Sequence, residues 1–189
     1  MTAEYKRRVS AINPPEQYVG PWVKEDFVKN CPRLFPEGTT VLDIGCGSAD
    51  IRGFLPGDVT YIGIDHIRDI RDCVSEEMAD ILIKEYPALN VTPDIACDAG
   101  SVPLEDGCAD TIMALGLDVL EVPGAISEIK RLLKDGGRFV FEGSSEYFYD
   151  NHIRTRLGDS GFNIEEEFRQ VLKFPGDTLR LVYYVCRLR

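Results

Sequence analysis

The sequence predicts an α/β protein built on a doubly wound, mostly parallel sheet. Apolar, β-branched runs of strand length alternate with amphipathic stretches of helix length from residue 39 onward. The first run ends in a glycine-rich turn, "VLDIGCGSAD", at residues 41–50. Asp43, Asp65 and Asp98 fall at or near the ends of the first three runs. Alternating units of this kind give a sheet covered on both faces, with ligands bound beyond the strand C-termini.

The elements follow in order. Residues 1–12 read as a frayed arm, and Pro14 and Pro15 are placed to open a helical stretch. Val19, Trp22, Val23 and Phe27 lie close to helical spacing there, and Gly20-Pro21 can break it in two. Residues 1–38 are thus an arm and helical cap, ahead of the main domain at 39–189. Gly38 releases the chain into "TTVLDI", and "VTYIGID" is the second strand. "IRDCVSEEMADILIKEY" sets Ile70, Val74, Met78, Ile81 and Leu82 on one helical face. "LNVTPDIACD" and "ADTIMAL" are the next strands, the second apolar enough to be buried on both faces. "GAISEIKRLLK" is an amphipathic helix with basic residues at its C-terminus, stopped at Asp135-Gly136-Gly137. "RFVFEG" is the fifth strand, and "SEYFYDNHIRTRLGDSG" is a helix stopped by Gly161. "FNIEEEFRQVLKF" and "DTLRLVYYVCRLR" flank Pro175-Gly176 and predict a terminal antiparallel β-hairpin, with helix as the alternative for residues 165–171.

Composition narrows the function. A formal charge of -11 argues against a nucleic-acid or anionic-membrane binder, which needs a basic face. The basic "YKRR" at Tyr5–Arg8 reads as a solvated tail. Six cysteines without a CxxC pair read as reduced, partly buried thiols of a cytoplasmic protein. Two histidines argue against a zinc site, so no metal is expected. No stretch approaches membrane-spanning length.

The spacing at the strand ends speaks to the ligand. A dinucleotide fingerprint wants a third Gly or Ala where this chain has Asp50, which disfavours a nicotinamide oxidoreductase. Asp65 follows Gly47 by 18 residues, a spacing that suits a carboxylate accepting both hydroxyls of a ribose. Asp98 suits an acceptor for an adenine amino group, with the Ala99 N–H donating to the ring. A lone Asp at a strand end is more often a cap or turn former. Three of them in register with one glycine loop are harder to dismiss.

Four blocks in order carry a family resemblance: "VLDIGCGSAD", "YIGID", "CDAGSVPLEDGCADTIMALGLDVLEV" and "EIKRLLKDGGRFVF". Over residues 39–143 the chain resembles class I S-adenosylmethionine-dependent methyltransferases of the type 11 group, which includes the ubiquinone and menaquinone methyltransferases. The resemblance implies a seven-stranded Rossmann-like sheet whose last strand is inserted antiparallel. It implies that Gly45, Cys46 and Gly47 lie against the methionyl part of the cofactor, with Cys46 present for its small size. Asp43 would hold the amino group, directly or through water, and Asp65 the ribose. His66 or Ile67 and Leu115 would sandwich the adenine, whose edge Asp98 and Ala99 would read.

Two departures stand out. Ala49 replaces the loop's usual third glycine, and "LDVLEV" replaces the family's Leu-Glu-His-Val run. Asp118 stands for the Glu and Val119 for the His, so a histidine base is absent there. The catalytic candidates are Asp118, His152 and Glu142. The plainer readings are a solvated helix residue for His152 and a loop cap for Glu142. Tyr18 and Trp22 are candidates to line the acceptor pocket. The expected activity is methyl transfer to an O, N, S or C nucleophile of a small molecule. The alternatives are a protein acceptor, or a non-catalytic subunit that binds S-adenosylmethionine.

Overall fold

The computed structural model describes residues 27–47, 50–66, 75–85, 93–115, 117, 119–144, 147–174 and 177–189. The apolar runs form the strands β1 (Thr40–Ile44), β2 (Thr60–Asp65), β3 (Ile95–Ala96), β4 (Ala109–Ala114), β5 (Leu133–Ser144), β6 (Phe162–Phe174) and β7 (Asp177–Leu188). Between them lie the helices α1 (Glu76–Glu85), α2 (Ala125–Leu132) and α3 (Tyr147–Asp159). The strands make one seven-stranded sheet in the order β3-β2-β1-β4-β5-β7-β6. Pairing is parallel from β3 through to β5, while β7 runs antiparallel to both β5 and β6. Strand order reverses between β1 and β4, which is where an open α/β sheet leaves a crevice at its C-terminal edge.

Strand periodicity builds two cores. Leu42, Ile44, Ile112, Ala114, Phe139 and Phe141 face Ile129 and Leu132 of α2 and Ile153 and Leu157 of α3. Their strand neighbours Val41, Met113 and Val140 face the other way, toward Phe27, Val28, Cys31, Leu34, Phe35 and Ile51. β4 is therefore buried on both faces, as its composition predicts. The Thr111 hydroxyl donates to the Leu34 carbonyl at 2.7 Å, tying the segment ahead of β1 to the sheet. Residues 27–30, the end of the stretch opened by Pro14 and Pro15, are helical, and Pro32–Leu34 form a 3₁₀ turn; residues 1–26 lie outside the described residues.

Two expectations change, and one alternative falls away. Among the described residues the third strand is Ile95–Ala96, because Asp94 ahead of it spends its carboxylate on the Gly63 N–H, at 2.7 Å, and on Arg52. α2 stops at Leu132, before the Asp-Gly-Gly turn, because Leu133 already pairs with Ala109. Gly136, at φ +76°, then turns the chain within β5 before Arg138 pairs with Thr111. Residues 165–171 are strand throughout, so the helical alternative fails. Pairing with β7 explains this: it sets Phe168 against the core, while Glu165 meets Arg187 at 2.9 Å and Glu167 meets Arg154 at 2.6 Å.

Candidate active site

The crevice is assembled from backbone donors. At the end of β1, Gly45 takes φ +76°, and the Gly45 and Cys46 N–H groups both donate to the Ile64 carbonyl, at 2.8 and 3.1 Å. A side chain is excluded at Gly45, since a Cβ there would stand 2.7 Å from the Leu117 Cβ. Gly47 follows at φ +54°, and its N–H donates to Asp65 Oδ2 at 2.9 Å. The glycine loop is thereby fastened to the end of β2.

Asp65 itself is 8% exposed, and His66 Nδ1 lies 3.4 Å from its Oδ1. The Cys97 N–H donates to the Asp65 carbonyl at 3.0 Å, which draws the end of β3 alongside. Asp98 then shapes a turn: its Oδ1 accepts the Gly100 N–H at 2.8 Å and its carbonyl accepts the Ser101 N–H at 3.0 Å. Gly100 is pressed on Pro123 and Gly124; a Cβ there would stand 2.4 Å from the Pro123 carbonyl oxygen.

α2 clamps the chain that follows. Glu128 Oε1 accepts the Val102 N–H at 2.8 Å, while Arg131 donates to the carbonyls of Leu104 and Val102 at 2.7 and 2.9 Å. Arg131 also pairs with Asp106 and Glu128. Its guanidinium beside Glu128 holds that carboxyl below the usual glutamate range. This clamp left only the spacing of "EIKR" as a signal in the sequence.

The predicted residues divide as follows. Gly45, Cys46, Gly47, Asp65 and His66 are gathered at the ends of β1 and β2, with Asp98 and Ala99 following β3. Asp43 is 1% exposed, and its Oδ2 accepts the Tyr61 hydroxyl at 2.8 Å. Cys46 is buried beside Gly63, where a Cβ would stand 3.0 Å from its sulfur; this agrees with a residue chosen for size. Leu115 is 4% exposed and packs in the core with Met113 and Phe27, so it offers the crevice little surface. Leu117, two residues on, is the leucine against the loop. Val119, where the family carries histidine, is a core residue. His152 is exposed on α3, as a solvated helix residue would be. Glu142 lies inside β5 opposite Tyr183. Tyr18, Trp22, Ile67, Ala49 and Asp118 lie outside the described residues.

Four of the described thiols are shifted away from nucleophile behaviour. Burial pushes Cys31, Cys97 and Cys108 above the ordinary thiol range and Cys186 up to about 12. Among the described residues no His, Cys, Asp and Glu group could hold a metal ion. Among them, too, no helix is long and apolar enough to cross a membrane.

The glycine loop leaves room for a ligand. A Cβ built on Gly47 would meet nothing within 4 Å, so open space lies over backbone beside a carboxylate at a strand end. A family model described as a methyltransferase domain matches residues 42–141, more than half of the chain. The chain belongs to that family, the class I, type 11 methyltransferases that use S-adenosylmethionine.

Solved structures agree in fold. One is an S-adenosylmethionine-dependent methyltransferase from Aquifex aeolicus, 19% identical over 95% of this chain and 97% of that one, TM-score 0.57. Another is 1,6-didemethyltoxoflavin-N1-methyltransferase from Burkholderia thailandensis, solved with 1,6-didemethyltoxoflavin and S-adenosylhomocysteine bound. It is 16% identical over 91% of this chain and 79% of that one, TM-score 0.61. The cyclase SpnF is similar as well, 22% identical over 79% of this chain and 60% of that one, TM-score 0.54. No curated protein matches the sequence.

Proposed function

We propose that the protein methylates a small-molecule acceptor, with the cofactor held in the crevice beyond β1, β2 and β4. The observation that carries this reading is the junction of Gly47 and Asp65, which joins open backbone to a strand-end carboxylate. Asp65 is assigned to the ribose. A carboxylate offers about four acceptor sites, so it can receive two hydroxyls and keep the Gly47 N–H. Asp43 is assigned to the methionyl amino group. Asp98 and Ala99 are assigned to the adenine edge, flanked by His66, Ile67 and the rim of Leu115.

When bound, the cofactor supplies an electrophilic methyl on a sulfonium, whose leaving group departs without protonation. The residues of the chain then contribute by aligning the acceptor and excluding water. A base is needed only where the acceptor must first lose a proton. Core Val119 cannot serve, and Asp118, which follows β4 in the sequence, is the candidate assigned to that role. Tyr18 and Trp22 are assigned to the acceptor pocket. A small-molecule acceptor is supported by the Burkholderia neighbour, whose acceptor is one. A second reading is cofactor binding without turnover. Val119 in the histidine position favours it, as does the cyclase SpnF, in which the fold serves other chemistry.

Incubation of the purified protein with a heat-treated cell extract and methyl-tritiated cofactor, followed by size fractionation against a control without the protein, decides between them. Label in the small-molecule fraction is expected. Label confined to protein would transfer the proposal to a protein acceptor, and tight cofactor binding with no label in any fraction would support the second reading.

A further inference from the structure

We propose that Tyr61 is a positioning residue for the methionyl end of the cofactor: its hydroxyl fixes the Asp43 carboxylate for the amino group. The inference rests on the assignment of Asp43 made above.

Alternation along β2 sets Tyr61, Gly63 and Asp65 on one face. The β1–β2 register pairs Tyr61 with Val41 and Gly63 with Asp43. Tyr61 therefore reaches Asp43 by running along its own strand, across Gly63. Gly63 leaves the room: a Cβ there would stand 3.3 Å from both Cε1 and the hydroxyl of Tyr61. The ring is held from beyond as well. Arg52 lies over it, 4.8 Å from the centroid, and is paired with Asp94, which accepts the Gly63 N–H.

The buried Asp43 carboxylate needs hydrogen-bond donors, and a bond to an ionised acceptor is stronger than a neutral one. Burial, then the neighbouring Asp43 charge, push the Tyr61 phenol far above its ordinary value, so it stays a donor. A neutral donor orients a carboxylate without cancelling its charge. A guanidinium in the same place would compete with the ammonium; here Arg52 is kept on the ring face by Asp94.

Calorimetry with two ligands tests this: S-adenosylhomocysteine and its analogue lacking the amino group. In Tyr61→Phe, affinity for the first should fall about tenfold while the second is unchanged, so discrimination shrinks by the same factor. Asp43→Asn should show the same selectivity, and adding Tyr61→Phe to it should remove little more. Gly63→Ala keeps the hydroxyl but crowds the ring and Cys46 Sγ, so it should lose discrimination in the same way on top of a general loss for both ligands. Equal losses for both ligands, or unchanged discrimination in Tyr61→Phe and Gly63→Ala while Asp43→Asn loses it, would overturn the role of Tyr61 alone. Unchanged discrimination in Asp43→Asn would overturn the Asp43 assignment and the inference with it.

Discussion

In the proposed assignment Asp65 has two tasks on one carboxylate: it holds the Gly47 N–H, at 2.9 Å, and would receive the ribose. Asp65→Ala should weaken S-adenosylmethionine binding by roughly 30- to 1000-fold, and Asp65→Asn less, because the amide oxygen still accepts. Calorimetry measures both; an Asp65→Ala protein that folds and binds like wild type would refute the assignment. Gly47→Ala probes the partner group. On sequence grounds alone it separates two cases, a turn glycine that acts on stability and a contact glycine that acts on binding. The φ of +54° merges them, since an L-residue there costs about 1–2 kcal/mol. The variant should therefore melt lower and also lose the ligand-induced rise, which is about 2.7 kcal/mol at a hundred times the dissociation constant. A full ligand-induced rise in that variant would assign Gly47 to the turn alone. The glycines and Asp65 were legible in the sequence because their spacing is local. Tyr61 was not, because only the pairing of β1 with β2 sets its hydroxyl at Asp43.

Between residues and fold stand the elements, and α2 shows why their edges were harder to read than their existence. Its amphipathic pattern is plain in the sequence, yet where it ends depends on Leu133 finding Ala109 on another strand. Its clamp on residues 102–106 is equally non-local. Arg131→Met should speed amide exchange at Val102 and weaken binding of adenosine-containing ligands, while α2 remains helical; unaltered exchange would show that the loop holds itself. The same contacts set an acid response. Hydrogen bonding from Arg131 lowers the Glu128 carboxyl. Burial would raise Asp110 and Glu167, but Lys134 and the Thr40 N–H outweigh it at Asp110, as Arg154 and Arg169 do at Glu167, so both lie low. Each carboxyl binds protons less readily folded than unfolded. Its contribution is complete above the ordinary carboxylate range and is lost as pH falls through that range to the depressed folded value. The melting temperature should be flat above about pH 5.5 and fall below it. Glu128→Gln should shallow that fall, and a melting temperature that rose on acidification would contradict the sign.

At the scale of the whole molecule, the segment ahead of β1 and the terminal hairpin close one core together. Phe27 stacks on Tyr183 with centroids 4.6 Å apart and meets Phe35 edge-on at 6.1 Å. Phe27→Ala should cost about 3–5 kcal/mol, or roughly 6–20 °C in melting temperature by thermal denaturation. A loss under 1 kcal/mol would mean the two segments are not coupled. The seven-stranded sheet and the antiparallel insertion of its last strand were legible through the family blocks and the Pro175-Gly176 turn. The contact of Phe27 with Tyr183 was not, since nothing local links positions so far apart. The central claim is that this sheet presents a cofactor crevice at its switch point. Calorimetric titration of the wild-type protein with S-adenosylmethionine tests it most directly. The account predicts one cofactor bound per chain; no heat of binding at millimolar cofactor would contradict it.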